Sequence, residues 1–552
     1  MNIPNSFHPP IAVLHYPGTY STLCRNTPLK NIGMKKIYLL LLAILQLLSL
    51  PLLAQLDITF SGDGRASANI LSGAYGEAVL IQPKDQKIVV AGYYNDGTLN
   101  NIGLVRFTIS GDLDTLFGIG GRVLLPFSVG TVSPYRVAIQ SNGNIIVSGQ
   151  FFISTGAGRE AVLIRLTPTG KIDYSFSPTG YLVVPQFAEA YALLVQADDK
   201  IVVGGNGGSG FGVIRFSKDG VPDTGFGSGG MFTMAGKVIT AMAFESDGSI
   251  IATGYTSGSV VQTVHLSTTG VLDRTFGAGG VSTLTVGTND AIQIYGVTVI
   301  GNNWIVLTGN YLPQETNSTF HFLVAELRAD GTLNPTFAGN GKLGIAVPNY
   351  TAYGWGSVQL LEGQLVIAGE LVPKGSGPVQ VGLARISANG VPDPAFGPNG
   401  VQIVGWSNKS TNVGAIAIAL QSNQEIVVGG GLGAGLDLGG LMAMRFRNPV
   451  IIPPPPVVDA IASAEENRAS STELPLRLFP NPANKTLNIQ GLDASVTTAV
   501  QVSDAAGRIV LSARTSGATL YTLDISRLPS ATYFFTLITD THRKTLTFVK
   551  TR

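Results

Sequence analysis

Cysteine, histidine and charge are all scarce in this chain, and each shortage excludes something. The 552 residues include one cysteine, Cys24, so neither an internal disulfide nor a thiolate metal cluster can form. Of the five histidines, only His265, His321 and His542 follow the apolar segment near the N-terminus, and they lie far apart. No H-E-x-x-H or G-x-S-x-G sequence is present, and Asp-Gly pairs such as Asp247-Gly248 lack the ligand spacing of a calcium loop. No catalytic residue, metal or cofactor can be assigned from such a sequence. Charged residues make up 12% of the chain, far below the share of an ordinary soluble domain, and the net charge is +1. Residues 55–450 carry 21 Lys and Arg against 26 Asp and Glu, a balance of −5, which argues against a nucleic-acid partner.

Glycine is abundant instead, with 69 residues, and the chain is 45% hydrophobic. Residues 34–54, MKKIYLLLLAILQLLSLPLLA, have the two lysines, apolar run and small-residue end of a secretory signal peptide. A membrane anchor is the competing reading, at the lower limit of spanning length. No cysteine follows the run, so lipid anchoring is not indicated and no stable span is expected after cleavage. Residues 1–33 read as a non-native upstream extension, with translation starting at Met34.

Beyond this point one phrase recurs. It reads GDLDTLFGIGGRV at residues 111–123, GVPDTGFGSGGM at 220–231 and GVLDRTFGAGGV at 270–281. Its phenylalanine stands at Phe60, Phe117, Phe176, Phe226, Phe276, Phe337 and Phe396, at spacings of 50 to 61 residues. Seven apolar runs ending in glycine keep step, from KIVVAG at 87–92 to EIVVGG at 425–430. Turn signals such as SNGN or SDGS precede most of them, and runs such as LVRF or LIRL follow. Each unit thus parses into four short strands, and between residues 55 and 449 no amphipathic helix pattern of useful length intervenes. A four-stranded meander cannot bury both faces alone, whereas radial repetition does so.

The expected fold class is therefore all-β: a seven-bladed β-propeller of four-stranded antiparallel blades over residues 55–447. A Pro-rich linker (448–473) and a small C-terminal β-sandwich (474–552) complete it. The first phrase has no strand before it and the last strand, AMRF, has no phrase after it, so the two half-units should join and close the ring. The phrase glycines suit a turn needing positive φ or close approach, and the phenylalanine suits packing between blades.

An arginine and an acid recur eight residues apart: Arg106/Asp114, Arg165/Asp173, Arg215/Asp223 and Arg385/Asp393. The fourth unit has His265/Asp273, and the fifth has Glu326/Asn334, so the acid is absent where it would meet another acid. Each pair is expected to brace a blade junction as a hydrogen-bonded ion pair, and closure should bring Arg445 to Asp57. A ring of arginines lining a ligand channel is the alternative.

The phrase LDxxFGxxG with IxxDGKIxVxG and LxRxxxxG resembles the delta-sixty repeat of bacterial secreted proteins, over roughly residues 55–447. The resemblance implies a propeller-like fold and no assigned reaction; Asn334 and Ala338 depart from it in the fifth unit. Residues 474–552 resemble the type A sorting domain of type IX secretion in Bacteroidota. The marks are Pro480-Asn481-Pro482, Asp504 with Gly507-Arg508, Leu528-Pro529 with Tyr533, and the final Phe548-Val549-Lys550; Ala531 replaces a usual glycine. That likeness implies passage through the periplasm, the type IX machinery as a partner, and a secreted or cell-surface destination.

Gly205, Gly207 and Gly210 satisfy G-x-G-x-x-G, but without a following helix they read as a hairpin tip, not a dinucleotide site. What remains is a monomeric, noncatalytic binding or adhesion module for an extracellular glycan or protein. Its variable tips at residues 155–160, 312–319 and 373–380 are where specificity could lie. The alternatives are an extracellular polymer-degrading enzyme on the same scaffold and a purely structural surface protein. A polar cluster that breaks sevenfold equivalence would mark a site.

Overall fold

A computed structural model describes residues 56–448, apart from short loop segments, and the strand-bearing segments between residues 477 and 550. The segment read as a signal peptide, the residues beyond Asn448 read as a linker, and Pro480, Asn481, Pro482, Asp504 and Gly507 of the expected sorting motif lie outside the described residues.

Seven four-stranded antiparallel sheets form the propeller. The first blade shows the plan: Tyr75–Ile81 innermost, then Ile88–Asn95, Asn100–Phe107 and, outermost, Arg122–Leu125. The innermost strands of the next five blades are Gly130–Ile139, Phe187–Val195, Val238–Phe244, Ala291–Ile300 and Tyr350–Gln359. The seventh blade takes Asn412–Leu420, Ile426–Gly433 and Gly440–Phe446 from the end of the propeller chain and Arg65–Asn69 from its start. Arg65–Asn69 pairs antiparallel with the Gly440–Phe446 strand, Ala66 facing Ala443, and a further bridge joins Leu56 to Phe446. The ring is thus closed by the N-terminal strand.

The core is a series of inter-blade clusters, not one centre. Val89, Leu104 and Phe117 of the first blade pack on Val132, Val147 and Ile164 of the second. Across the closure, Phe60, Ala66 and Ala443 pack on Ile88, Val105 and Phe107. Both faces of a blade are buried this way, and so the second and third strands read as continuous apolar runs.

The repeated phrase connects the third strand to the fourth and staples each blade to the next. Phe117 is fully buried, and a Cβ on Gly170 of the following phrase would lie 2.9 Å from its ring. Gly170 also has φ +84°, so it needs glycine for two reasons. The same contact recurs between Phe60 and Gly111, Phe176 and Gly220, and Phe226 and Gly270. The residue after the phenylalanine then donates its N–H to the next blade: Gly118 to Thr169 O at 2.8 Å, Gly227 to Thr269 O at 2.8 Å, Ala338 to Asn389 O at 2.8 Å.

The C-terminal segment folds as two sheets. One orders Arg477–Phe479, Thr486–Gln490 and Leu520–Asp524; the other orders Ile509–Thr515, Thr498–Ser503, Ala531–Ile538 and Arg543–Lys550. Leu487, Val500, Phe535 and Phe548 share its core, a sandwich in miniature. Tyr533 is buried there and stacks on Phe548 at 5.6 Å, while Lys550 pairs in register with Ala531.

Candidate binding site on the propeller axis

The arginine pairs form on one face, together with the phrase. Arg106 Nε donates to Asp114 Oδ2 at 2.7 Å, Arg165 to Asp173 at 2.7 Å, Arg215 to Asp223 at 2.9 Å and Arg385 to Asp393 at 2.8 Å. Each guanidinium also lies over the phrase phenylalanine of its own blade, 4.5–4.7 Å from the ring centroid. A second nitrogen reaches the neighbouring blade: Arg106 Nη1 to Pro168 O at 2.6 Å, Arg165 Nη1 to Lys218 O at 2.7 Å. At the closure Arg445 Nε donates to Asp57 Oδ2 at 2.8 Å, Arg447 Nε to Asp57 Oδ1 at 2.9 Å, and Arg445 Nη1 to Ile109 O of the first blade. These arginines point into blade junctions and do not line a channel.

The two exceptional units obey the same geometry with different chemistry. Asn334 Nδ2 donates to Glu326 Oε1 at 2.6 Å, and burial raises the Glu326 pKa. His265 Nδ1 lies 3.0 Å from Asp273 Oδ2 and its Nε2 lies 3.2 Å from Glu245 Oε2. Glu245 foremost, then Asp273, raise the imidazole pKa against the opposing effect of burial. Sequence reasoning missed a third partner, the residue that opens the first-to-second hairpin. Gln82, Gln196 and Gln421 each accept from their unit's arginine at 3.3–3.4 Å.

Sevenfold equivalence fails on the axis. Every innermost strand carries a β-bulge at the same place. The glycine ending each apolar run makes room for it: a Cβ on Gly92 would lie 2.1 Å from Tyr75 O, on Gly254 1.8 Å from Val238 O, on Gly369 1.9 Å from Tyr353 O. At the bulge stand Glu77, Tyr135, Tyr191, Thr240, Tyr295, Trp355 and Ile416 in blade order. The following position is Ala or Gly in six blades and Arg136 in the second.

Neighbouring aromatic residues meet across the blades. Tyr135 and Tyr191 are 4.4 Å apart between centroids, and Tyr295 and Trp355 4.5 Å. Burial foremost pushes the Tyr191 and Tyr295 hydroxyls up to about 12, so all remain neutral donors. Arg136 crosses from the second blade to the fifth, donating Nη2 to Tyr295 O at 3.1 Å and Nη1 to Tyr135 O at 2.8 Å. Tyr75 donates its hydroxyl to Glu370 of the sixth blade. The glycine at position 414 permits this, because a Cβ there would meet the Glu370 carboxylate at 2.0 Å and the Tyr75 hydroxyl at 3.0 Å.

On the side of the axis where the second-to-third strand loops rise, Tyr93, Gln150, Asn206, Tyr255, Asn310 and Glu370 occupy equivalent positions of successive second strands. Glu189 is held by Arg159 at 2.9 Å. The result is a belt of aromatic rings, amides and carboxylates, partly accessible except at the buried Asn310 and Glu189 and interrupted at the fourth blade by Val238 and Thr240 and at the seventh by Gly414 and Ile416. Of the three variable tips, 373–380 is described and rises beside this belt; 154–157 and 314–318 fall outside the described residues. Gly207 and Gly210 pair across the third blade's hairpin tip, with no helix following. Among the described residues no group of three His, Cys, Asp or Glu side chains could hold a metal ion, and no helix is long and apolar enough to cross a membrane.

Comparison with known proteins agrees with this organisation. A family described as a domain of unknown function (DUF5122) beta-propeller matches residues 84–117, 140–176, 196–226, 301–337 and 363–396. A secretion system C-terminal sorting domain matches residues 477–551. No curated protein sequence matches significantly. Similar solved structures include the alpha-L-arabinanase of Penicillium chrysogenum, 10% identical, TM-score 0.34, covering 68% of this chain and 97% of that one. The endo-arabinase of Bacteroides thetaiotaomicron VPI-5482 is 9% identical, TM-score 0.28, covering 72% and 98%. The beta-propeller domain of the Trilobed protease from Pyrococcus furiosus is 7% identical, TM-score 0.31, covering 76% and 96%. These values are too low to transfer an activity. The chain is a seven-bladed propeller carrying DUF5122 repeats, delivered to the cell surface or beyond by a C-terminal type IX secretion sorting domain.

Proposed function

We propose that the secreted propeller is a noncatalytic binding module for an extracellular glycan, held on the loop face over the axial belt. The observation that carries this reading is the loss of equivalence along the axis: five junctions keep the Arg–Asp pair and the other two keep its geometry, while the axial positions mix Tyr and Trp with Glu, Gln and Asn. Flat rings offer faces for the C–H side of sugar rings, and amide and carboxylate oxygens accept from hydroxyls. The type IX sorting domain puts such a surface where extracellular polysaccharide is met.

An extracellular hydrolase is the second reading, favoured by one observation. Burial foremost pushes Glu77 up to about 7, the range of a general acid, and Glu370 is raised as well. Hydrolysis of a glycosidic bond needs two working carboxyl groups. Glu370 is already tied to Tyr75 over Gly414 and serves to join the sixth blade to the first, which leaves Glu77 without a second free acid beside it.

Binding of the purified secreted protein to an array of extracellular polysaccharides, repeated with Tyr93→Ala and Tyr255→Ala, tests the proposal. Glycan capture by the wild type, weakened about tenfold or more by either substitution, supports it. Capture that survives both, or release of reducing ends that stops with Glu77→Gln, defeats it.

A further inference from the structure

We propose that the axial cavity on the hairpin side of the bulge ring is a separate site for a small apolar α-amino acid, its carboxylate on Arg136 and its ammonium on Glu77. This does not depend on the glycan reading, since the cavity lies on the hairpin side of the bulge ring, with Tyr295 and Trp355 at its inner end, and the glycan face lies on the loop side. It has a volume of about 200 Å³, is open on one side, and is lined by Val79, Leu193, Met242 and Ile418 together with the polar Thr298 and Ser357. Pockets for drug-sized ligands run from roughly 300 Å³ upward, so this one suits a molecule no larger than an amino acid.

Two polar groups at its inner end have capacity to spare. Arg136 stands alone in a ring of Ala and Gly and uses two N–H groups on the carbonyls of Tyr135 and Tyr295. A guanidinium has five, so three remain for an anion. Glu77 is the one acid of the bulge ring and lines the same cavity; Arg136 is near enough to act on its charge, yet Glu77 has no hydrogen bond and no ion pair within 4.0 Å among the described residues. A carboxyl group placed deep with no donor is a costly feature in an otherwise tightly paired molecule. Ammonium and carboxylate on one carbon, with an apolar side chain, match the acid, the base and the walls together. A fatty acid would bring Glu77 no hydrogen-bond donor, and an amine would bring Arg136 no acceptor.

Calorimetric titration of the full secreted chain with leucine, leucinamide, 4-methylpentanoate and Leu-Gly is the test. Leucine should bind, both single-headed analogues should bind at least tenfold more weakly, and Glu77→Gln should reduce leucine binding at least tenfold with the ring still folded by circular dichroism. Arg136→Lys should do the same; if that variant does not fold, Glu77→Gln and the two analogues decide alone. Absence of leucine binding by folded wild-type protein, equal binding of 4-methylpentanoate, or tighter binding of Leu-Gly would overturn the assignment.

Discussion

Replacing Asp57 by alanine should open the ring at its seam. Asp57 is fully buried and accepts from Arg445 Nε, Arg447 Nε, and the N–H and hydroxyl of Thr59. Removing it takes from Arg445, itself 5% exposed and lying over the Phe60 ring, the more deeply buried of its two carboxylates and leaves Glu425 Oε2, 2.9 Å from its Nε. Breaking one side of a buried pair costs about 3–5 kcal/mol when the remaining charge stays unpaired, and Glu425 holds the cost here to the lower end, about 3 kcal/mol. That loss falls on Arg65–Asn69, a five-residue strand whose only sheet partner is Gly440–Phe446. Amide hydrogen exchange resolves it, since local opening is read segment by segment. Amides of residues 65–69 and 440–446 should exchange about 10² times faster in Asp57→Ala, at 1.4 kcal/mol per factor of ten, with blades three to five little changed. Acid should act in the same place. Burial pushes the Asp57 pKa up, but hydrogen bonds from Thr59, Arg447 and Arg445 outweigh it and hold the group at about 2. A depressed carboxyl pKa stabilises the fold above about 3.8, and the contribution is lost as pH falls toward 2. Unchanged exchange at the seam in Asp57→Ala would refute the reasoning.

Three further outcomes follow from departures from the repeat. His265→Arg should restore the common clasp in the fourth blade and raise stability by about 0.5–2 kcal/mol in chemical denaturation. The wild-type clasp draws on a raised imidazole pKa, so its contribution is complete below the ordinary value of 6.5 and fades as pH rises through the folded one; the arginine variant should lose that dependence. Ala338 sits at φ +49°, where the equivalent residues Gly118, Gly227 and Gly277 sit at +57° to +58°, so Ala338→Gly should stabilise by about 1 kcal/mol in the same assay.

The architecture was legible in the sequence because junction chemistry is what repeats. Phe117 must meet a glycine of the next blade, and Arg106 must meet Asp114, so both recur with the blade period. The pairing of Arg445 with Asp57 follows from the same arithmetic applied to a run of repeats that opens and closes in mid-unit. The axis was not legible, since its residues are those the fold leaves free to vary: nothing in the repeat dictates Glu77, Arg136 or Trp355. A signal existed nonetheless. The bulge residue stands fourteen positions before the glycine of the apolar run in six units, Tyr135 before Gly149 for example, and fifteen in the first, Glu77 before Gly92. Reading that column would have shown five different residue types where a scaffold needs none. Glu370 lay beyond any such reading, because its contact with Tyr75 depends on two blades separated by a third.

The axial sites exist only if the first blade is drawn against the seventh, so the seam itself is the claim to test. Ala66 and Ala443 face each other there, both buried, in a chain whose single cysteine is Cys24. With Cys24→Ser as background, Ala66→Cys with Ala443→Cys should form a disulfide on mild oxidation in nearly all of the purified protein, read as a mobility shift reversed by reductant. Two thiols that stay free in folded protein would contradict a ring closed by its N-terminal strand.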